Sequence, residues 1–76
     1  MNNTRRKEIK KVIAVLESLN STIEDLQSEE GDAMDAISEN FSETDRYAHM
    51  EECYDLLGDA MSSIEEAISN LEDCIA

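Results

Sequence analysis

The apolar residues of this chain fall into two long runs of heptad spacing, separated by a short polar segment. In both runs the step between apolar residues alternates between three and four, which is the a and d pattern of a coiled-coil helix. The first run is Ile9, Val12, Leu16, Leu19, Ile23 and Leu26. The second run is Met50, Tyr54, Leu57, Met61, Ile64, Ile68, Leu71 and Ile75. The pattern predicts two amphipathic helices, each of which contacts a partner along a narrow seam.

The first helix is predicted to extend well beyond Leu26. Ala33 and Ile37 resume the same register after Glu30. Gly31 lies inside this pattern and lowers the helix propensity by about 1 kcal/mol relative to alanine. Because the register is the same on both sides of the glycine, we expect the helix to continue through it.

Polar capping residues indicate where the two helices begin. Thr4 and Thr44 are the expected N-caps, and Asp45 lies in the first turn of the second helix, where a negative charge suits the helix dipole. We therefore predict one domain, 1–76, with a helix over 4–38, a turn over 39–43 and a helix over 44–75. Phe41 is expected to fold back over the end of the core.

The two apolar runs match each other when the second helix folds back on the first. Facing residues of such an antiparallel pair have numbers that add to 80, from Ile9 with Leu71 to Leu26 with Tyr54. The predicted fold class is therefore all-α: an antiparallel two-helix coiled-coil hairpin. This register also places the basic N-terminal segment beside four acidic residues, which are Glu65, Glu66, Glu72 and Asp73.

Further apolar residues flank the two seams, and a single hairpin leaves them uncovered. A chain of this size buries only roughly 60% of its unfolded surface. A second apolar stripe allows another helix to approach closely, so we predict that two copies associate into a four-helix bundle. The residues expected at this homodimer interface are Ile13, Val15, Met34, Cys53, Leu56, Ala60, Ala67 and Cys74. The alternative is that the stripe docks on a different protein.

The charge of the chain is strongly negative and unevenly distributed. There are 19 acidic and 6 basic residues, for a net charge of −13. Residues 1–11 carry a net charge of +4, which leaves −17 on residues 12–76. So acidic a body repels nucleic acid and anionic membranes, and it favours a basic partner surface. We expect a host protein as partner, with no direct nucleic-acid contact and no membrane association; solubility alone is the simpler explanation of the charge.

Carboxylates follow the outside of both predicted helices in rows. Glu52, Asp59, Glu66 and Asp73 are spaced by seven residues, which is about 10.5 Å along a helix. The other members of the rows are Asp55, Glu65, Glu72, Glu17, Glu24, Asp25 and Asp32. A rigid row of carboxylates imitates the charge of a DNA backbone. The rows therefore predict a DNA-mimic-like surface for a nuclease or another DNA-binding protein, whereas an ordinary solvated helix face is the simpler interpretation.

The sequence contains no recognisable catalytic or metal-binding set. His49, the only histidine, lies outside the seams, and no acid, nucleophile and pocket accompany it. Cys53 and Cys74 have no histidine or further cysteine at ligand spacing, so we predict reduced packing residues of a cytoplasmic protein. No apolar run approaches the roughly 20 residues of a membrane span. We expect no enzymatic activity, no metal and no cofactor.

Several segments together resemble a group of short acidic two-helix proteins of phages and mobile elements of Gram-positive bacteria. These segments are Arg5-Arg6-Lys7-Glu8-Ile9, Leu16-Glu17-Ser18-Leu19, Glu29-Glu30, Arg46-Tyr47 and the run from Ser63 to Ile68. Members of the group often have a proline in the turn, where this chain has Ser38, so its turn is expected to be less rigid. The resemblance implies a phage or mobile-element setting inside a bacterial host, and it implies no particular activity.

Three functions follow from these patterns. The first is inhibition or modulation of a host protein, such as a defence nuclease or a DNA-binding factor, through the carboxylate rows. The second is a structural or assembly adaptor that docks through the apolar stripe of the second helix (Cys53, Leu56, Ala60 and Ala67). The third is an accessory regulator of phage gene expression that acts by protein contact.

Overall fold

The computed structural model describes residues 1–37 and 45–76, and these form two helices that pack against each other. Helix α1 spans Asn3–Asp35 and helix α2 spans Asp45–Ile75. The structure extends over 59 × 14 × 14 Å, and its radius of gyration is 17.4 Å, compared with roughly 11 Å for a compact domain of this length. The chain is therefore a thin two-helix hairpin, as the heptad pattern predicted.

The N-cap of helix α1 lies two residues before the predicted one. Asn2, not Thr4, is the N-cap: its backbone is extended, and its side-chain oxygen accepts a hydrogen bond from the Arg5 N–H at 2.8 Å. Asparagine caps a helix at least as well as threonine because its carbonyl reaches the free N–H groups of the first turn. The prediction of Thr4 was therefore wrong.

Helix α1 also ends three residues earlier than predicted. The N–H of Ala36 still bonds the carbonyl of Asp32, but the N–H of Ile37 bonds Met34, three residues back. This tighter spacing closes the last turn. The predicted turn over 39–43, the Phe41 plug and the Thr44 cap lie outside the described residues.

The seam of α1 differs from the predicted one by a rotation of the helix. The least exposed residues recur at steps of three and four, and Ile13 is the one buried residue in the described part of the chain. They are Arg6, Ile9, Ile13, Leu16, Asn20, Ile23, Gln27, Glu30, Met34 and Ile37. Thus Ile9, Leu16 and Ile23 face α2 as predicted, whereas Val12, Leu19 and Leu26 do not. Ile13, Asn20 and Gln27 occupy their places in the seam, so two of the three replacements are polar.

Two glycines lie on the side of the seam toward which α1 is rotated, and each contacts a side chain of the other helix. The Tyr54 ring lies over Gly31, where an added Cβ would be 3.2 Å from Tyr54 Cε2. The Gln27 side chain lies over Gly58 in the same way, with Nε2 at 3.0 Å from the position of a Cβ, and it donates a hydrogen bond to the Tyr54 carbonyl at 3.2 Å. Each hollow receives a side chain of the other helix. The contact therefore moves toward the side of α1 that carries Gly31, and the opposite edge of its apolar stripe faces outward.

Helix α2 contacts α1 through the predicted seam. Tyr54 is 38% exposed, while the other predicted members of the seam are half-buried. The contacts between helices also agree with the predicted register to within about one turn. Arg6 pairs with Ile75 and Gln27 with Tyr54, and each pair of numbers adds to 81. The two glycine contacts add to 85, and the predicted sum was 80.

Candidate functional site

An uncovered apolar row runs along α1. Val12, Val15, Leu19 and Leu26 are 47%, 57%, 50% and 46% exposed, respectively. Their spacing of three, four and seven residues places them on one side of the helix. Large aliphatic side chains in such a regular row are unusual on a surface that has no partner. We call these four residues the outer row.

The residues that were predicted at the dimer interface occupy three different environments. Ile13 is buried and Met34 half-buried in the seam between α1 and α2. Cys53, Ala60 and Ala67 are half-buried along one edge of α2. Val15, Leu56 and Cys74 are exposed. The hairpin thus covers Ile13 by its own packing, and the apolar surface that remains accessible lies on both helices.

All eleven carboxylates of the predicted rows are exposed. They are Glu17, Glu24, Asp25, Asp32, Glu52, Asp55, Asp59, Glu65, Glu66, Glu72 and Asp73. Within residues 1–37 and 45–76 the structure contains one ion pair, between Lys11 and Glu8 at 3.2 Å, and it involves none of them. Each row lies on one continuous helix, α1 (Asn3–Asp35) or α2 (Asp45–Ile75), and the helix repeat sets the spacing of its carboxylates. The arrangement presents unneutralised negative charge on both helices.

The basic N-terminal segment contacts the end of α2 through a carbonyl rather than a carboxylate. Arg6 Nη1 donates a hydrogen bond of 2.6 Å to the backbone oxygen of Ile75. The last carbonyls of a helix have no partner within the helix and carry the negative end of its dipole, so a guanidinium suits that position. Ion pairs of the segment with Glu65, Glu66, Glu72 or Asp73, which the register suggested, are not among the contacts of the described residues.

One shallow groove lies between the two helices near the end of α1. Gly31, Met34, Asp35 and Tyr54 line a shallow groove of about 200 Å³. His49 is exposed on α2. Residues 1–37 and 45–76 contain no group of His, Cys, Asp and Glu side chains that is placed to hold a metal ion. The features that stand out on this hairpin are therefore surfaces, one charged and one apolar.

Asn20 was not singled out from the sequence. It lies in the seam, and its side-chain oxygen is buried without a hydrogen-bond partner. A signal for it was present, because Ile13, Asn20, Gln27 and Met34 also recur every seven residues. The apolar residues at Val12, Leu19 and Leu26 made the neighbouring column the more obvious choice.

Comparison with models of protein families, with curated proteins and with solved structures finds no match for the chain. In the described residues, neither helix combines the length and the hydropathy needed to cross a membrane.

Proposed function

We propose that this chain is a binding protein whose carboxylate rows engage a basic surface of a partner protein, and that it inhibits or modulates that partner. The observation that supports the proposal is the exposure of all eleven row carboxylates without an ion pair among the described residues. Coiled-coil surfaces normally mix both signs of charge. A surface of one sign attracts the opposite sign at long range and raises the rate of association.

The spacing of the rows suggests the class of partner. Carboxylates about 10.5 Å apart along a straight helix produce an extended negative potential, which a groove that binds DNA would accept. A nuclease or another DNA-binding protein of a bacterial host fits this chemistry. The resemblance to short acidic phage proteins favours the same setting, with the protein acting in the host cytoplasm. The proposed role requires no catalytic residue and no cofactor.

The experiment combines capture of partners with charge reversal. The tagged chain would be incubated with nuclease-treated bacterial lysate, and bound proteins would be eluted with increasing salt. Exposed charges are screened within about 8 Å at physiological ionic strength, so we expect a basic protein that elutes at moderate salt. Reversal of Glu52, Asp59 and Glu66 to lysine should abolish its capture.

A matched control separates the rows from total charge. Glu29, Asp35 and Glu51 are also exposed and lie outside the rows, so their reversal to lysine changes the net charge by the same amount. We expect the control to retain most of the binding. Equal loss in both triple variants, or no loss in either, would contradict binding by the rows.

The second candidate function is an adaptor that docks through apolar side chains. The observation in its favour is the exposure of the outer row on α1 and of Leu56, which is 57% exposed on α2. The adaptor stripe predicted on α2 alone is largely half-buried, so an adaptor surface would include α1. Apolar contacts respond weakly to salt, so an adaptor's partner would stay bound at high ionic strength.

The proposed assembly is a homodimer in which two hairpins form a four-helix bundle. Its support is the near absence of a core: Ile13 is the one buried residue among those described. A single thin seam stabilises a chain of this length only marginally.

A further inference from the structure

Helix α1 carries two adjacent rows of residues with heptad spacing, which are the seam that faces α2 and the outer row. Val12, Leu19 and Leu26 each precede by one residue a member of the seam that faces α2. One residue is a rotation of about 100° around a helix, so the outer row faces roughly at right angles to the seam. Each helix of a four-helix bundle has two neighbours at about this angle. Helix α1 is thus shaped for two neighbours, and α2 is one of them.

Helix α2 repeats this arrangement in the same rotational sense. Leu56 precedes the seam residue Leu57 by one position, and Cys53, Ala60 and Ala67 lie at the same edge. Because the two helices are antiparallel, an equal rotation about each helix points to the same side of the hairpin. The outer row, Leu56 and these three small residues therefore form one continuous surface, which we call the apolar face. Carboxylates such as Glu17, Glu24 and Glu65 lie on the opposite side.

We propose that the apolar face is the contact surface for a second copy of the chain, which gives the four-helix bundle proposed above its interface. The exposed area of the chain supports binding of a second copy. The chain exposes 5731 Å², whereas a compact monomer of 8.5 kDa exposes roughly 4,650 Å². The excess of roughly 1,100 Å² is comparable to the 800 Å² or so that each partner of a standard interface buries.

The charge distribution favours one orientation of the second copy. In the described residues, 20–37 and 45–61 carry eleven acidic side chains and one basic, for a net charge of −10. Residues 1–19 with 62–76 carry six acidic and five basic side chains, for a net charge of −1. Two hairpins stacked with the same end together would bring −10 against −10. Stacked in opposite directions, each acidic end meets a nearly neutral one, so α1 lies antiparallel to α1 of the second copy.

Three members of the outer row, Val12, Leu19 and Leu26, are spaced symmetrically in the way that this orientation requires. In a two-fold interface each residue meets its own counterpart or exchanges partners with one other residue. Centred on Leu19, the row places Val12 opposite Leu26 of the second copy, and Leu26 opposite its Val12. On α2 the residues Cys53 and Ala67 are equally spaced about Ala60. Leu19 and Ala60 lie within about one turn of the same level of the hairpin, since their numbers add to 79, against 81 and 85 for the observed contacts between the helices. One axis therefore serves both helices.

Engineered cysteines test both the face and the orientation. In a background with Cys53→Ala and Cys74→Ala, Leu19→Cys should form a disulfide between two copies on mild oxidation. Val12→Cys alone should not, because its counterpart lies about 21 Å away along the antiparallel helix. A mixture of Val12→Cys and Leu26→Cys chains should crosslink to each other. Crosslinking of Val12→Cys to itself would overturn the orientation.

Sedimentation equilibrium over a range of concentrations tests whether a second copy of the chain binds the apolar face. We expect twice the chain mass of 8.5 kDa, and a dimer dissociation constant raised roughly 100-fold or more by Leu19→Glu, because two charges would face each other across a dry contact. Ser21→Glu adds the same charge on the opposite side of α1 and should leave the dimer intact. A dimer that tolerates Leu19→Glu would refute the apolar face as the contact surface. The mass of a single chain at every concentration would also refute the four-helix bundle. Binding through the carboxylate rows is read by partner capture, so either proposal can fail while the other holds.

Discussion

Asn20 allows the sharpest test of the packing between the two helices. Its side-chain oxygen is buried without a partner, although the residue lies in the seam against α2. A buried acceptor without a hydrogen bond costs about 1–3 kcal/mol. Asn20→Leu removes this cost and adds the apolar contact of a half-buried leucine, about 1 kcal/mol. We therefore expect the variant to raise the free energy of unfolding by roughly 2–4 kcal/mol.

The assay is thermal unfolding followed by circular dichroism, at one fixed protein concentration because self-association makes Tm depend on concentration. For a chain of 76 residues the expected gain corresponds to a rise in Tm of roughly 12–25 °C, at about 6 °C per kcal/mol. Gln27→Leu is the matched control, since Gln27 lies seven residues later in the same column of the seam. Gln27 donates to the Tyr54 carbonyl, so its replacement forfeits a hydrogen bond worth about 1 kcal/mol. A gain in the control as large as in Asn20→Leu, or no gain in Asn20→Leu, would refute the assignment of an unsatisfied oxygen.

Three further predictions concern single contacts. Asn2→Ala should lower the free energy of unfolding by about 1 kcal/mol through loss of the cap, while Thr4→Ala should change it by a few tenths at most; equal effects in chemical denaturation would argue against the observed cap. Arg6→Ala should expose the end of α2 and speed exchange of the amide hydrogens in its last turn, whereas unchanged exchange would show that the hydrogen bond to its final carbonyl contributes nothing. Replacing Gly31 by alanine should raise the free energy of unfolding through the higher helix propensity of alanine, about 1 kcal/mol. We expect this full gain in a Tyr54→Ala background and a smaller gain when Tyr54 is present, and a double-mutant cycle measures the difference. Identical gains in both backgrounds would contradict the close contact.

The sequence predicted the number, the order and the antiparallel packing of the helices because these follow from periodicity. Heptad spacing over six or more apolar residues leaves few alternatives to a helix, and the polar segment between the runs leaves room for one reversal. The exposure of the carboxylate rows followed from the same periodicity. Residues such as Glu52 and Asp59 lie away from the apolar column, and the helix carries them outward.

The rotation of α1 could not be predicted from periodicity alone. Three neighbouring columns of α1 contain apolar residues, and the middle one, with Ile9, Leu16 and Ile23, makes an acceptable seam with either of its neighbours. Which pair faces α2 depends on where the helices approach most closely, and side chains of the opposite helix lie over Gly31 and Gly58 on one side of the seam. From the sequence, Gly31 was interpreted only as a local weakness of the helix, whereas the structure shows that it also lies under the Tyr54 ring at the contact between the helices.

The glycine hollows also determine how far one helix can slide along the other. A heptad seam nearly repeats itself when α2 is displaced by seven residues, about 10.5 Å, so the apolar contacts alone permit several alignments. The hollows do not repeat: Tyr54 displaced by one heptad would meet the level of Glu24, which has a side chain where Gly31 has none. The two positions without side chains thus favour a single alignment of the helices over those that the periodic apolar contacts would also allow.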